Sequence, residues 1–394
     1  MTLFQGPDAS PSGDAEAFGH MLLLFGAAGD FALGNPPGFG SRIASLAGEL
    51  AQNNACGPQE CDAVYLAGVL HGIGALGNGG VRRSDSLPSR AARMERWNIP
   101  AMGASLCGRI RGLPENTADI IRWHAENWDG TGYPDQLRWH GIPKVAQVLH
   151  LAQTYVSAAE PDDGLASIQE SSGRIFSPEE VRAFVMWFHT TGGETPARDM
   201  PLHALHATPG SAATVLHLLG EAIDIHIGAR GRCARVAERA TATGTRLNVD
   251  RACAARLHAG AYLFGAGEIE RDDLEGHRFD PLAGLGRELR ARNATAAAAL
   301  VAQVPAFAEL LPILRARAEW FDGTGLPGRL AAHAIPLESR VLAVCIAYEA
   351  LHEAHRTKIR DDRMTPVERL TRSAGTQFDP AVVSAFTESL KATV

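Results

Sequence analysis

A chain of 394 residues is long enough for two domains with separate cores. Its composition, 45% hydrophobic and 21% charged, is that of a globular protein. The formal net charge of −7 argues against broad nucleic-acid binding, and six cysteines without a CxxC pair suit a reducing compartment better than a disulfide or zinc framework.

Residues 1–15, rich in Ser, Pro, Gly and Asp, read as a disordered lead-in. Ala17–Leu33 carries apolar residues at helical spacing and stops at Gly34. Within it Met21–Ala28 is too short to span a bilayer and follows no basic segment, so a cytoplasmic protein without membrane contact is expected. Further helices are predicted at Arg42–Leu50 and at Ala63–Leu70, which runs into His71-Gly72-Ile73-Gly74. A Gly- and Ser-rich loop from Gly77 to Ser89 follows, then helices at Gly103–Ile110, Glu115–Asn127 and Pro143–Ala158. Ser177-Pro178-Glu179-Glu180 is a helix start whose helix runs to His189. No segment sustains the alternation of a strand, so the expected fold is all-α.

The order then repeats. Trp123–Pro134 reads WHAENWDGTGYP, and Arg317–Pro327 reads RAEWFDGTGLP. Asp129 matches Asp322 and Ile142 matches Ile335, both at an offset of 193 residues. Asp30 and Asp224 occupy like places in two apolar helices, where a carboxylate accepting a nearby loop N–H is the expected role. Ser171–Pro178 matches Ser373–Pro380. The chain is therefore two copies of one helical domain, expected at 16–189 and 210–394, joined by a Gly- and Pro-rich connection at 190–209.

The phrase His-x-Glu-x-Trp-Asp-Gly-x-Gly-Tyr-Pro, with Leu-His-x-Ile-Gly upstream and Ile-Pro downstream, resembles the HD-GYP family. Gly375-Thr376-Gln377-Phe378-Asp379-Pro380 resembles that family's closing motif. The resemblance implies an all-α fold, a buried site for two or three metal ions (often iron or manganese), and hydrolysis of cyclic di-GMP. Such hydrolysis needs metals to polarise the phosphate and activate water, held by imidazoles and a bridging carboxylate.

Carried over position by position, that ligand set is mostly gone. Phe39 and Arg232 stand where the family has its early His. The His-Asp doublet becomes His71-Gly72 and, at an offset of 187, His258-Ala259. The Lys that follows the doublet in the family is Ala75 in the first half and unmatched in the second. The mid-chain His is Ile99 and Arg292, the His-His pair is His124-Ala125 and Arg317-Ala318, and the late Asp is Gln153 and Ile346. His71, His124, Glu126 and His258 are thus vestigial catalytic candidates, with His71 and His124 as the weak candidates for a metal. The GYP loops, Asp129, Gly130, Gly132, Tyr133 and Pro134 with Asp322, Gly323, Gly325 and Pro327, have a structural role in which glycines free the backbone and proline fixes the exit. Glu126 and Glu319, at a position the two halves share, are expected to pair with Arg or to cap the loop behind them rather than to take part in catalysis.

The function expected from this pattern is a non-hydrolytic signalling module that binds a partner protein or a cyclic dinucleotide, with no cofactor. The alternative is a metal-dependent cyclic di-GMP phosphodiesterase using iron or manganese in the first half, and a ligand-free scaffold is a further alternative. Arg232, Arg292 and Arg317, at three family ligand positions, are candidates for an anion or nucleotide site, since guanidinium groups bind phosphate through charge-assisted bonds.

Overall fold

The computed structural model describes residues 11–77, 90–195, 197–269, 284–356 and 364–391. Among them every regular element is helical, apart from two isolated bridges at Ser172–Phe176 and Ala374–Phe378. The chain divides into two compact units, Asp8–Val215 and a second one spanning Leu216–Val394.

In the first unit the order is α1 (Pro11–Leu33), α2 (Phe39–Asn53), α3 (Pro58–Leu70), the short α4 (Gly74–Gly77), α5 (Arg90–Cys107), α6 (Thr117–Trp123), α7 (Lys144–Ser157), α8 (Pro161–Glu170) and α9 (Pro178–Thr191). α1 begins at Pro11, so residues 11–15 of the expected lead-in are helical; Asp14 in the first turn complements the helix dipole. The predicted Gly- and Ser-rich loop lies mostly outside the described residues. Ser177 caps α9 by accepting the Glu180 N–H at 3.1 Å. Phe18, Leu22 and Phe25 of α1, Ile43 and Leu46 of α2, and Leu66 and Leu70 of α3 are fully buried and form the centre of the core.

The segment expected as a connection returns along the first unit. Tyr155 donates to the Gly193 carbonyl at 2.7 Å, Tyr65 to the Arg198 carbonyl at 3.1 Å, and the His206 N–H to Gly112 at 2.9 Å.

The second unit repeats the series. α10 (Ser211–His226) leads into α11 (Arg232–Arg246), α12 (Arg251–Leu263), α13 (Gly284–Val301), α14 (Leu311–Ala316), α15 (Leu337–Arg356), α16 (Pro366–Arg372) and α17 (Pro380–Lys391). α2, α3 and α7 start 193 residues before α11, α12 and α15. Asp30 accepts the Gly40 N–H at 2.8 Å and Asp224 accepts the Cys233 N–H at 2.9 Å, so each carboxylate ties the first helix of its unit to the start of the next. Thr365 and Glu368 form a capping box on α16.

Candidate functional site

The two GYP loops share one construction. Asp129 accepts both the N–H and the hydroxyl of Thr131, at 2.9 and 2.6 Å; Asp322 does the same for Thr324, at 2.9 and 2.7 Å. A Cβ at Gly132 would stand 2.2 Å from the Asn127 nitrogen, and one at Gly325 2.0 Å from the Trp320 nitrogen, so only glycine lets the loop close on itself. The loops are pinned to the closing motifs, where Asp129 N–H donates to Arg174 and Asp322 N–H to Thr376, each at 2.9 Å. Tyr133-Pro134 and Leu326-Pro327 are both cis.

Behind the first loop, α2, the end of α3 and the end of α6 bring Phe39, His71 and His124 together. The His71 ring lies 6.1 Å from Phe39 and 6.1 Å from His124, edge-on to the latter. Both histidines are buried. His71 Nδ1 sits 2.8 Å from the Gly68 carbonyl and His124 Nδ1 2.7 Å from that of Ile121. A carbonyl only accepts, so each Nδ1 carries a proton. His71 Nε2 is buried without a hydrogen-bond partner. Burial, followed by the neighbouring His71, pushes His124 down to about 3.

Two further groups face this cluster, His150, which no sequence motif singled out, and Asp30. His150, on α7, bonds the Glu126 carbonyl at 3.2 Å and is pushed down to about 4 by burial. Asp30 is raised by burial, an effect opposed first by the charge of His71. Glu126 itself turns away from the cluster to accept the N–H groups of Asp135 and Leu137 at 2.6 and 3.1 Å. Glu319 accepts the Gly328 N–H in the second unit.

The counterpart in the second unit follows the 193-residue offset at four positions. Arg232 takes the place of Phe39, Phe264 that of His71, Glu268 that of Ala75, and Arg317 that of His124. Arg232 and Arg317 lie with their guanidinium carbons 4.6 and 5.8 Å from the centre of the Phe264 ring. Arg232 donates twice to Glu268, at 3.0 and 2.5 Å. Burial lowers the affinity of Arg232 for its proton, but the Glu268 carboxylate more than offsets this and holds it above the ordinary guanidinium range. Arg317 is buried and donates to the Phe264 carbonyl at 3.0 Å, while its Nε has no partner. Burial pushes it down to about 10, with Glu268 opposing and Arg232 and Arg290 adding to the fall.

Two sequence expectations change here. His258 does not occupy the position of His71; it lies six residues before the matching position, on α12, where it meets His217 of α10. The matching position is the C-cap of α12, Phe264, just as His71 caps α3. Arg292 does not join Arg232 and Arg317. It is exposed on α13, one residue away from the buried Asn293. A Cβ at Gly74 would meet the Ile99 carbonyl and one at Gly267 the Asn293 carbonyl, which makes Asn293 the counterpart of Ile99. One extra residue before this point rotates α13 by about 100° relative to the sequence expectation.

The residues present do not fit the bridged metal centre that the resemblance implies. Among the described residues, no group of three or more His, Cys, Asp or Glu side chains comes together to hold a metal ion. The bridging carboxylate position is Gly72 in one unit and Gly265 in the other. A Cβ at Gly72 would already lie 3.3 Å from the Gly29 carbonyl carbon and 3.4 Å from the Asp30 nitrogen. No described helix is long and apolar enough to cross a membrane.

Comparison with known proteins adds a family. The HD domain sequence model matches residues 33–180 and 219–382. A cyclic di-GMP phosphodiesterase of Vibrio cholerae is 29% identical over 149 residues, covering 32% of this chain and 29% of the relative. One of Thermotoga maritima is 25% identical over 158 residues, covering 36% and 42%. The matched region is thus less than half the length of these curated relatives. A crystal structure described as a cyclic GMP-AMP-specific phosphodiesterase of V. cholerae shares the fold, with a TM-score of 0.65 at 17% identity over 94% of this chain and 97% of that one.

Proposed function

Because the chain belongs to the HD-domain family, in two copies that each keep a GYP-type loop, we propose that it serves cyclic-dinucleotide signalling by binding a cyclic dinucleotide. The names of the relatives favour hydrolysis of cyclic di-GMP, the alternative reading, over a non-hydrolytic module. The observation that carries binding without turnover is local to this chain. Where a carboxylate would bridge two metals stands Gly72, whose Cβ would come within 3.3–3.4 Å of the Gly29 and Asp30 backbone and of Leu33. Without that bridge, His71 and His124 offer two imidazole nitrogens but no carboxylate to join two ions.

The second unit supplies positive charge of its own. Arg232 and Arg317 flank one phenyl ring, and the unpartnered Nε of Arg317 is a donor suited to a phosphate oxygen. Arg292, exposed on α13, takes no part in this reading.

The test has two arms. Purified full-length protein is assayed for turnover of cyclic di-GMP and cyclic GMP-AMP with excess Mn²⁺ or Fe²⁺, and the same nucleotides are titrated calorimetrically. Binding without turnover, weakened more than about tenfold by Arg317→Met, is the expected result. Turnover that disappears in the His71→Ala, His124→Ala double variant establishes the phosphodiesterase instead. Neither binding nor turnover leaves the scaffold.

A further inference from the structure

His258, displaced from the inner site, stands in a cluster of its own. His217 on α10 and His258 on α12 approach with their Nε2 atoms 2.8 Å apart. Tyr262, one turn beyond His258, stacks on His217 with ring centres 4.6 Å apart and lies 5.1 Å from His258. His217 is exposed and His258 half-buried. Glu221, one turn beyond His217 on the same helix, is also exposed. Burial lowers the proton affinity of both imidazoles, and His217 lowers that of His258 further. Both rings therefore give up a proton more readily than a free imidazole.

We infer that His217 and His258 form a surface site for a divalent first-row transition ion, with Cu²⁺ or Ni²⁺ preferred to Zn²⁺. Two nitrogens 2.8 Å apart subtend about 85–90° at an ion about 2.0–2.1 Å from each. That is the angle between neighbouring ligands in a tetragonal or square site, whereas tetrahedral zinc would require the pair to spread by about half an ångström. Neutral imidazole nitrogens suit these borderline ions. Water completes the coordination, because His217 faces solvent.

The proton balance is simple. In the neutral pair one ring donates its Nε2–H to the other. Coordination requires both Nε2 lone pairs, so that ring moves its proton to Nδ1, and none is released. The ion also ties α10 to α12, and binding to the folded state alone raises the melting temperature of the protein.

Tag-free full-length protein is titrated with CuCl₂, NiCl₂ and ZnCl₂, and the copper adduct is examined by electron paramagnetic resonance. The expected result is one copper ion per chain at this site, hyperfine structure from two imidazole nitrogens, and an affinity order of Cu²⁺ over Ni²⁺ over Zn²⁺. His217→Ala and His258→Gln should each weaken copper binding at least about tenfold and abolish the associated rise in melting temperature. Replacing His203, an exposed histidine that meets Asp62 in the first unit, should change neither. Copper binding and nitrogen couplings that survive in His217→Ala would overturn the inference, as would a site that takes zinc more tightly than nickel.

Discussion

At the scale of single residues, the inner sites of the two units are defined by what they exclude. A side chain introduced at Gly72 would start with its Cβ 3.3–3.4 Å from the Gly29 and Asp30 backbone, beside the buried carboxylate of Asp30. Gly72→Asp is therefore expected to cost about 2–4 kcal/mol in urea unfolding and to gain no bound metal. The buried histidines carry a pH dependence of definite sign. His124 and His150 titrate near 3 and 4 when folded, below the unfolded value of 6.5. Between these values the unfolded chain holds more protons, so stability is complete above pH 6.5 and is lost as the pH falls toward 4. Each histidine contributes a slope of up to about 1.4 kcal/mol per pH unit. The buried carboxylates Asp30 and Glu180, raised by burial, act in the opposite sense, so the comparison that isolates the effect is wild type against His124→Gln. Unfolding midpoints at pH 7 and pH 5 should converge for the variant relative to wild type. In the second unit, Glu268→Gln would leave Arg232 buried without its charge partner, at an expected cost of about 3 kcal/mol by the same measurement.

At the scale of elements, the loop between α6 and α7 and its repeat after α14 are held by backbone contacts that leave no room for a side chain. Gly132→Ala and Gly325→Ala would each force a Cβ within about 2 Å of a main-chain nitrogen, and each is expected to destabilise its unit by about 3 kcal/mol or more. This loop was legible in the sequence because glycine and proline state their backbone requirements directly. The ends of α3 and α12 were less so. A search for a histidine before a small residue finds His258, whereas the constant 193-residue spacing points to Phe264-Gly265-Ala266-Gly267-Glu268. The spacing was the stronger signal, because the register of a packed helix is set by all of its buried positions, while a single residue type is free to recur on any face. Arg292 shows the limit of that signal: one extra residue in the stretch leading to α13 was enough to turn it to solvent. His150 carried no motif at all, and only the packing of α7 places it beside His124.

At the scale of the whole chain, the repeat was plain from the GYP phrases, and each half builds its own core around the same helices. Cleaving the chain ahead of α10, at Gly210, should yield two fragments that are each helical and unfold cooperatively, as circular dichroism in a urea series would show. The two halves have nonetheless diverged at matching positions, with Phe39 and His124 in the first and Arg232 and Arg317 in the second. A metal ion is borrowed from the surroundings, and it is withdrawn by starvation, by a chelator or by peroxide. The guanidinium groups around Phe264 are part of the polypeptide, fixed from the moment of synthesis. Their charge therefore does not depend on the supply of iron or on oxidising or reducing conditions.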